Sequence, residues 1–468
     1  MKSDVFRSRV QRLLALLALG LPLTGLSAET KHLLVVTATK GFRHSSIPTA
    51  ERILKQLGAD SGVYDVEYVR GGADGKDDTD VKEKLAPDSL RKYDGVIFAN
   101  TTGDLAIPDK EFFLEWLKSG KAFIGMHSCS DTYHGYPAFI QMLGGEFLTH
   151  HEQVKIAAIN QDGQHPATQH LGPSFQVFDE IYLFKNFNRD QVHGLLWLDK
   201  HPNKGNPGDF AVAWCKEYGK GRVFYTSLGH REDVWDADPN LKDRRNSTDV
   251  SKAYQQHVLG GIQWALGLKP GSGAPQGTKA SLDPKEAADG FKLVFNGSDL
   301  TGWHYRNPSG LQSWSAQNGM LVNTIPPDKH GTDLITDQKF TDFTARYEYM
   351  VPKGANSGFY LRGRYEVQVF DDGDATQPSN SSNGALYSQV APSKLVSKKA
   401  GEWQTVEATI KGNKVTVILN GEKIIDNATV DRPTGGELDN KVNEPGPIFV
   451  QGDHGQVAFR NIRVKELK

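Results

Sequence analysis

Short apolar runs alternate with helical patterns along the first half of the chain. The run "YDGVIFANT" is apolar almost without interruption, as a strand buried on both faces should be. In "SIPTAERILKQLG" and "PDKEFFLEWLKSG" the apolar residues recur at helical spacing, which is typical of amphipathic helices. The alternation of such strands and helices from Leu33 to Leu268 predicts an α/β domain with a doubly wound, mostly parallel sheet.

The second half shows a different pattern, with short alternating runs between turn signals and little helical spacing. Strands such as "FTARYEYMV" and "WQTVEATIKGNKVTVILNGEKI" predict an all-β domain, a β-sandwich of jelly-roll type, with a hairpin turn at Asn-Gly. Between the halves, "LKPGSGAPQGTKASLDP" has the composition of a linker. We therefore predict an α/β domain over 31–268, a linker over 269–284 and a β-sandwich over 285–468.

The first residues have the features of an export signal. A basic segment with Lys2, Arg7, Arg9 and Arg12 precedes a short apolar run, and small residues end at Ala28. The run is too short to span a bilayer comfortably. Residues 1–28 are therefore predicted to be a signal peptide, and the mature protein is expected to be secreted, in the periplasm, without a membrane span.

Composition limits the classes of partner. The 468 residues carry a formal net charge of -2, which gives no electrostatic reason to expect nucleic acid. The two cysteines are Cys129 and Cys215. An oxidising compartment permits a disulfide between them, and buried, inert thiols are the alternative. The sequence leaves the oligomeric state open.

Histidines at predicted strand ends form the first candidate site. Ligands of such sheets bind at the carboxyl ends of the strands. His44 follows the first strand, His127 lies in the sharp turn "GMHSCS", and His230 follows a late strand. We expect these three side chains to line one pocket that binds substrate or a divalent metal ion. Ordinary loop histidines are the alternative, since no HxH or HExxH spacing is present.

A set of motifs in this half resembles the ThuA-like trehalose-utilisation family. That resemblance implies a class I glutamine-amidotransferase-like fold and a role in sugar metabolism. The catalytic cysteine of that fold lies in a Gly-x-Cys elbow, whereas the matching stretch here reads Gly125-Met126-His127, so amidotransfer is not expected. The motifs are "TKGFRHSS", "GKAFIGMHSCSDTY", "LGGEFLTHH", "HP", "DEIY" and "GKGRVFYTSLGHR".

The stretch "YLRGRYEVQVFDDGD" contains the second candidate site. Read with a period of two, Leu361, Tyr365, Val367 and Val369 face a core. The opposite face is then polar and is expected to line a wet surface, either as a sugar site or as the ordinary solvated side of a sheet. That face consists of Arg362, Arg364, Glu366 and Gln368.

The second half resembles the 3-keto-disaccharide hydrolase domain family. The resemblance implies a concanavalin/laminin-G-like sandwich acting on 3-keto-glycosides, so the expected partner is a small-molecule sugar. Trp303 and Tyr387 are further candidates for stacking on the sugar. The motifs are "LVFNGSDLTGW", "NSGFYLRGRYEVQVFDD", "NGALY", "GEWQTVEATIKGNKVTVILNG" and "GPIFVQGDHGQVAFRNIRVKEL", and the residues they indicate are Asn356, Arg362, Glu366, Gln368, Asp371 and His454.

The chemistry of a 3-keto-glycoside suggests how such a site would work. The ketone at C3 acidifies the proton on C2, so a base can remove it, the C1 substituent can leave, and water can add to complete a net hydrolysis. Glu366 or His454 is the candidate base, and Arg362 is the candidate donor to the enolate oxygen. Paired-carboxylate hydrolysis by Glu366 and Asp371 stays open. A different class of function also stays open, in which the sandwich is a non-catalytic carbohydrate-binding module attached to the ThuA-like domain.

Overall fold

The computed structural model describes residues 29–276, 280–326 and 328–467. The predicted signal peptide, residues 1–28, lies outside the described residues, so export stays a prediction. Among the described helices, none combines the length and the apolar character that crossing a bilayer requires.

The first half folds around a nine-stranded sheet, counted over residues 29–276, in the order β2-β1-β3-β4-β11-β10-β9-β6-β7. Strands β5 and β8 pair separately. The strands are β1 (Lys31–Val36), β2 (Tyr64–Val69), β3 (Gly95–Ala99), β4 (Ala122–Met126), β5 (Glu146–Thr149), β6 (Val154–Asn160), β7 (Ser174–Asp179), β8 (Leu183–Lys185), β9 (His193–Lys200), β10 (Pro207–Tyr218) and β11 (Gly221–Thr226). The helices are α1 (Ile47–Ser61), α2 (Thr79–Lys84), α3 (Pro87–Leu90), α4 (Lys110–Lys118), α5 (Pro137–Leu143), α6 (Glu232–Trp235) and α7 (Thr248–Ala265), with 3₁₀ helices at His127–Asp131 and Arg189–Gln191.

The prediction of a mostly parallel sheet is right for only half of this sheet. Strands β2, β1, β3, β4 and β11 are parallel to one another, whereas β10, β9, β6 and β7 continue the sheet from β11 with antiparallel pairing. The change of direction occurs at the two-residue turn Gly219–Lys220 between β10 and β11. So short a turn can join only antiparallel strands, because a parallel pair needs a long crossover.

Helices cover both faces of the sheet, as a doubly wound fold requires. Leu33 and Val35 of β1 pack in the core that includes α1 and α7. Leu34 and Val36 point the other way, into the core that includes α4 and α5. This burial on both faces explains why the parallel strands read as continuous apolar runs.

The predicted linker packs against the first domain over its described residues. The carbonyl of Ala274 accepts a hydrogen bond from His193 Nδ1 at 2.7 Å, and the amide of Gly194 donates to Gln276 Oε1 at 3.1 Å. Both contacts fix the segment to β9. The exact boundaries of the two domains stay predictions.

The second half is a sandwich of two antiparallel sheets, counted over its described residues. One sheet has the order β14-β15-β24-β17-β20-β21-β22, with β12 paired to β24, and the other has the order β13-β16-β23-β18-β19. The elements are α8 (Pro284–Ala288), β12 (Lys292–Leu293), β13 (Trp303–Tyr305), β14 (Trp314–Gln317), β15 (Met320–Asn323), β16 (Leu334–Phe340), β17 (Phe343–Met350), β18 (Asn356–Leu361), β19 (Tyr365–Phe370), β20 (Gln404–Lys411), β21 (Lys414–Leu419), β22 (Glu422–Thr429), β23 (Gly446–Val450) and β24 (Val457–Glu466).

Both sheets contribute to one core between them. Tyr347 of β17 stacks on Phe359 of β18 with ring centroids 3.8 Å apart, which joins the two layers. The predicted hairpin turn joins β21 and β22, and its residues Asn420 and Gly421 both have positive φ, 52° and 84°. These angles are why Asn-Gly occupies the turn. The structure therefore confirms an α/β domain followed by an all-β sandwich, while the two more specific fold names stay expectations.

Candidate functional site

The structure brings the three predicted histidines of the first domain together. His127 Nε2 lies 3.2 Å from His44 Nε2, and the ring centroids of His44 and His230 are 5.2 Å apart. Glu180, which follows β7, completes the group, because its Oε1 lies 3.3 Å from His230 Nδ1 and 3.7 Å from His127 Nε2. One ligand atom from each of the four residues lies within 4.8 Å of all the others.

Local geometry explains how His127 reaches this group. β4 ends at Met126, and His127 takes a φ of 45°, in the left-handed region that non-glycine residues rarely adopt. Its Nδ1 donates to the carbonyl of Ser227 at 2.8 Å. The ring is fully buried, and this hydrogen bond directs Nε2 toward His44.

Burial keeps two of these imidazoles neutral. It lowers the pKa of His44 to about 4, and it lowers the pKa of His127 well below its ordinary value. Burial also lowers the pKa of His230, but the adjacent Glu180 carboxylate raises it by more, so that the net shift is upward. Neutral imidazole is the form that binds metal ions.

The cysteines take no part in this site. Cys129 is fully buried, and its Sγ occupies the space beside Gly125, where an added Cβ would lie 2.9 Å away. Cys215 is also buried, and the two thiols are free. Burial raises the pKa of both thiols, which therefore fit the alternative of inert thiols.

In the second domain, Glu366 lies in a buried polar site. It faces Tyr360 across the β18–β19 ladder, and the Tyr360 hydroxyl lies 2.8 Å from Glu366 Oε2 and 2.8 Å from the carbonyl of Gly435. Glu366 is 3% exposed. Burial raises its pKa to about 8, the charges of Asp453 and Asp333 add to the increase, and Tyr360 opposes it.

The contacts of Tyr360 indicate where the proton of Glu366 goes. A tyrosine hydroxyl has one hydrogen, and a backbone carbonyl can only accept. When the Tyr360 hydroxyl donates its hydrogen to the carbonyl of Gly435, its oxygen can still accept a hydrogen bond from a protonated Glu366. The ring of Tyr360 stacks on Phe449 with centroids 3.7 Å apart, which fixes this hydroxyl in place.

Arg362 and Arg364, two of the four residues predicted for the polar face, lie in the turn between β18 and β19 and not in a strand. A turn over 362–364, with φ of 53° at Arg362, separates β18 from β19, so the period-two pattern does not run through it. Arg362 donates to Asp342 at 2.6 Å and to the carbonyls of Thr341 and Gly412. With these donors engaged, it cannot stabilise an enolate beside Glu366.

Arg364 and Gln368 are also buried rather than exposed on a wet surface. Arg364 is 3% exposed and pairs with Asp439 at 2.5 Å, and Gln368 is 4% exposed. The expectation of a wet surface is wrong because these polar groups find partners within the protein. The structure does place the opposite set of residues in the core, and that set is Leu361, Tyr365, Val367 and Val369.

The remaining candidates of the second domain separate into core, turn and rim positions. Trp303 is a core residue, not a sugar platform, and its Nε1 donates to the carbonyl of Val294. Asp371 Oδ2 accepts from the amide of Gly354 at 2.8 Å and so stabilises a turn. Asn356 has a buried Oδ1 without a hydrogen-bond partner, and Tyr387 is half-buried.

His454 lies at the rim of the sandwich. Its Nδ1 pairs with Asp453, whose charge also acts on Glu366. The same histidine lines a cavity of about 350 Å³ that Lys204 and Asn206 of the first domain close from the other side. Asp453 thus pairs with the exposed imidazole, and its charge raises the pKa of the buried Glu366 carboxyl group.

Two central residues, Glu180 and Tyr360, had no role assigned from the sequence. Glu180 follows a strand in the motif "DEIY", so its position was visible, but the antiparallel half of the sheet hid that this strand end faces the histidines. Tyr360 would have been found by reading Arg362-Gly363-Arg364 as a hairpin turn, because it then pairs with Glu366.

Each half of the chain matches a known family model. Residues 32–265, half of the chain, match the family model described as trehalose utilisation. The chain belongs to the trehalose utilisation family. Residues 290–465 match the model of the 3-keto-alpha-glucoside-1,2-lyase-like domain. The two matches follow one another along the chain in the order that the sequence motifs predict.

Individual relatives each match a part of this chain. A 3-keto-disaccharide hydrolase of Bacteroides thetaiotaomicron is 27% identical over 40% of this chain and 82% of its own length. A crystal structure provisionally named a glycosyl hydrolase, from Parabacteroides distasonis, is 31% identical over 38% of this chain and 84% of that chain, with a TM-score of 0.32. A provisionally named ThuA-like protein of Bacteroides uniformis is 20% identical over 55% of this chain and 99% of that chain, with a TM-score of 0.40.

Proposed function

We propose that this protein is a carbohydrate-active enzyme whose β-sandwich cleaves 3-keto-glycosides by elimination and hydration, with net hydrolysis. The observation that carries the proposal is the buried Glu366, which is hydrogen-bonded to Tyr360 and whose pKa burial raises to about 8. It lies in the domain that matches the 3-keto-glucoside lyase-like model, and a relative of this half is named a 3-keto-disaccharide hydrolase.

The two steps divide between an acid and a base. In the elimination, the base takes the C2 proton, the C1–C2 double bond forms, and the C1–O bond breaks as the acid protonates the leaving oxygen. Water then adds to the enone and gives the free 3-keto sugar. A carboxyl group with a pKa of about 8 holds its proton at neutral pH, so we assign Glu366 as the acid.

The base assigned in this scheme is His454, paired with Asp453. The Asp453 carboxylate beside this imidazole orients the ring for proton abstraction from carbon. The imidazole borders the cavity between the domains. Arg362 has no role in this scheme because its guanidinium is engaged elsewhere.

The first test is the nearly isosteric substitution Glu366→Gln in the full chain. We expect turnover of a 3-keto-glucoside with a chromogenic aglycone to fall by roughly 10²–10⁴-fold, the contribution typical of one acid–base group. The matched control is Asp371→Asn, which removes a turn carboxylate and is expected to leave turnover unchanged. Full activity of Glu366→Gln with an unchanged circular-dichroism spectrum would exclude Glu366 from the mechanism.

The pH dependence separates the two roles. With Glu366 as the acid, kcat/KM of the wild type falls as pH rises through about 8. A rate that rises through this pH instead would make Glu366 the base.

A wild-type protein that binds the keto sugar without any turnover would favour the non-catalytic binding module.

A further inference from the structure

The His44–His127–Glu180–His230 cluster has the spacing of a metal centre. Ligand bonds of about 2.0–2.1 Å place the ligand atoms of a tetrahedral zinc site roughly 3.3 Å apart. Three pairs of ligand atoms have comparable separations: 3.2 Å between the Nε2 atoms of His44 and His127, 3.7 Å between His127 Nε2 and Glu180 Oε1, and 3.3 Å between His230 Nδ1 and Glu180 Oε1. One ligand atom from each of the four residues lies within 4.8 Å of the others.

The outer contacts leave the inward atoms free to bind it. His127 Nδ1 donates to the carbonyl of Ser227, so its Nε2 carries the lone pair in the neutral ring. His44 Nδ1 lies 3.3 Å from the Ser128 hydroxyl, which leaves Nε2 to face the cluster. Such partners on the second ring nitrogen are the usual support of metal-binding histidines.

Two further observations point to a ligand here. His230 Nδ1 is buried and lies 3.3 Å from Glu180 Oε1, yet it forms no hydrogen bond of acceptable geometry among the described residues. Asp179 accepts from the amides of Gly229 and Arg231 at 2.7 and 3.2 Å, on either side of His230, and so holds this ring in place. Glu180 Oε2 is engaged by His150 Nδ1 at 3.0 Å, while Oε1 faces the histidines.

We infer that His44, His127, His230 and Glu180 bind one divalent transition-metal ion, with zinc the best fit to four ligands at tetrahedral spacing. Three imidazoles and one carboxylate are the ligand types that such ions take in proteins. The site lies at the carboxyl ends of the strands, where α/β sheets bind their ligands. It is independent of the chemistry proposed for the sandwich.

The test measures metal binding by the full chain, not activity. We expect elemental analysis after dialysis to give one metal ion per chain, and chelator-treated protein to bind Zn²⁺ in a calorimetric titration. Substitution with Co²⁺ should produce the visible absorption of a four-coordinate ion. His44→Ala and Glu180→Gln should each weaken Zn²⁺ binding by at least about 10-fold, a loss that even outer partners of metal sites cause.

The matched control is His201→Gln. His201 pairs with His151, ring centroids 5.3 Å apart, and belongs to no metal-binding group of the described residues. The Zn²⁺ affinity of the His201→Gln variant should equal that of the wild type. The inference is overturned if folded wild-type protein takes up no Zn²⁺, or if both ligand variants bind Zn²⁺ as tightly as the control.

Discussion

At the scale of single residues, Glu366 combines a structural cost with a chemical use. A carboxyl group that is neutral when folded and ionised when unfolded makes folding less favourable as pH rises. Glu366 is nonetheless buried in the folded protein, where the charges of two other acidic residues, Asp333 and Asp453, also act on it. Strongly shifted groups of this kind are concentrated at functional sites.

The pH dependence of stability follows from this shift. The pKa of Glu366 in the folded protein is about 8, above its ordinary value of 4.5, so its penalty is absent below pH 4.5 and complete above pH 8. Between these limits the loss is about 1.4 kcal/mol per pH unit. Since glutamine does not titrate, we expect Glu366→Gln to be more stable than the wild type by a few kcal/mol at pH 8.5 and to gain little at pH 4.5.

Urea unfolding of both proteins at the two pH values checks this prediction. The other titrating groups are the same in both proteins, so their contributions cancel in the difference. An equal difference in free energy of unfolding at pH 4.5 and pH 8.5 would contradict the raised pKa.

At the scale of elements, the β18–β19 hairpin positions the acid. Gly358 of β18 lies beside Glu366, and an added Cβ would come within 2.5 Å of Glu366 Oε1 and 2.9 Å of the Tyr360 ring. A glycine at this point is what allows the carboxyl group to lie flat against the neighbouring strand.

We expect Gly358→Ala to reduce both activity and stability. The new methyl group must displace the end of the Glu366 side chain, and a small misplacement of a catalytic group costs roughly 100-fold in rate. Overpacking itself should lower the free energy of unfolding by about 1–3 kcal/mol. Kinetic assays and urea unfolding of the same variant measure both effects.

The control for this substitution is Gly373→Ala, in the loop that follows β19. There the nearest atom, Asp371 Oδ1, would lie at an ordinary 3.4 Å. Activity should be unchanged in this variant. If Gly358→Ala retained the wild-type rate, the close packing of Gly358 would have no part in positioning Glu366.

At the scale of the whole molecule, a contact around Trp403 joins the two halves. Trp403 Nε1 donates to Asp199 Oδ2 at 2.6 Å, and Lys200 Nζ donates to the carbonyl of Gly401 at 2.6 Å. The Arg460 guanidinium lies 3.9 Å from the centroid of the Trp403 ring. A cavity of about 650 Å³ between the domains is bordered by Asp199, Lys200, Gly401 and Trp403.

We expect Trp403→Ala to uncouple the domains. Loss of a half-buried indole that is both stacked and hydrogen-bonded should cost about 2 kcal/mol, as at other interface tryptophans. Calorimetry should then show two separate unfolding transitions, and protease should cut faster within 269–284. Trp403→Phe, which keeps the stacking on Arg460 but loses the hydrogen bond to Asp199, should show an intermediate effect. A single unchanged transition in Trp403→Ala would show that this contact does not couple the domains.

The sequence by itself determined the local features of this protein. Continuous apolar runs marked the strands buried on both faces, Asn420-Gly421 marked a hairpin, and the motifs of both families gave the order of the two domains. His44, His127 and His230 could be grouped in advance because strands of one sheet end at a shared edge. These properties depend on neighbouring residues or on a regular repeat, and so they are visible in the chain itself.

The tertiary structure decided what depends on distant partners. Arg362 and Arg364 carry charges that suit a sugar site, yet a turn directs them to Asp342 and Asp439. Glu180 joins the histidines only because four antiparallel strands extend the sheet, and Tyr360 meets Glu366 only through the pairing of a hairpin. The raised pKa of Glu366 depends on desolvation by segments far away in sequence, which no local pattern encodes.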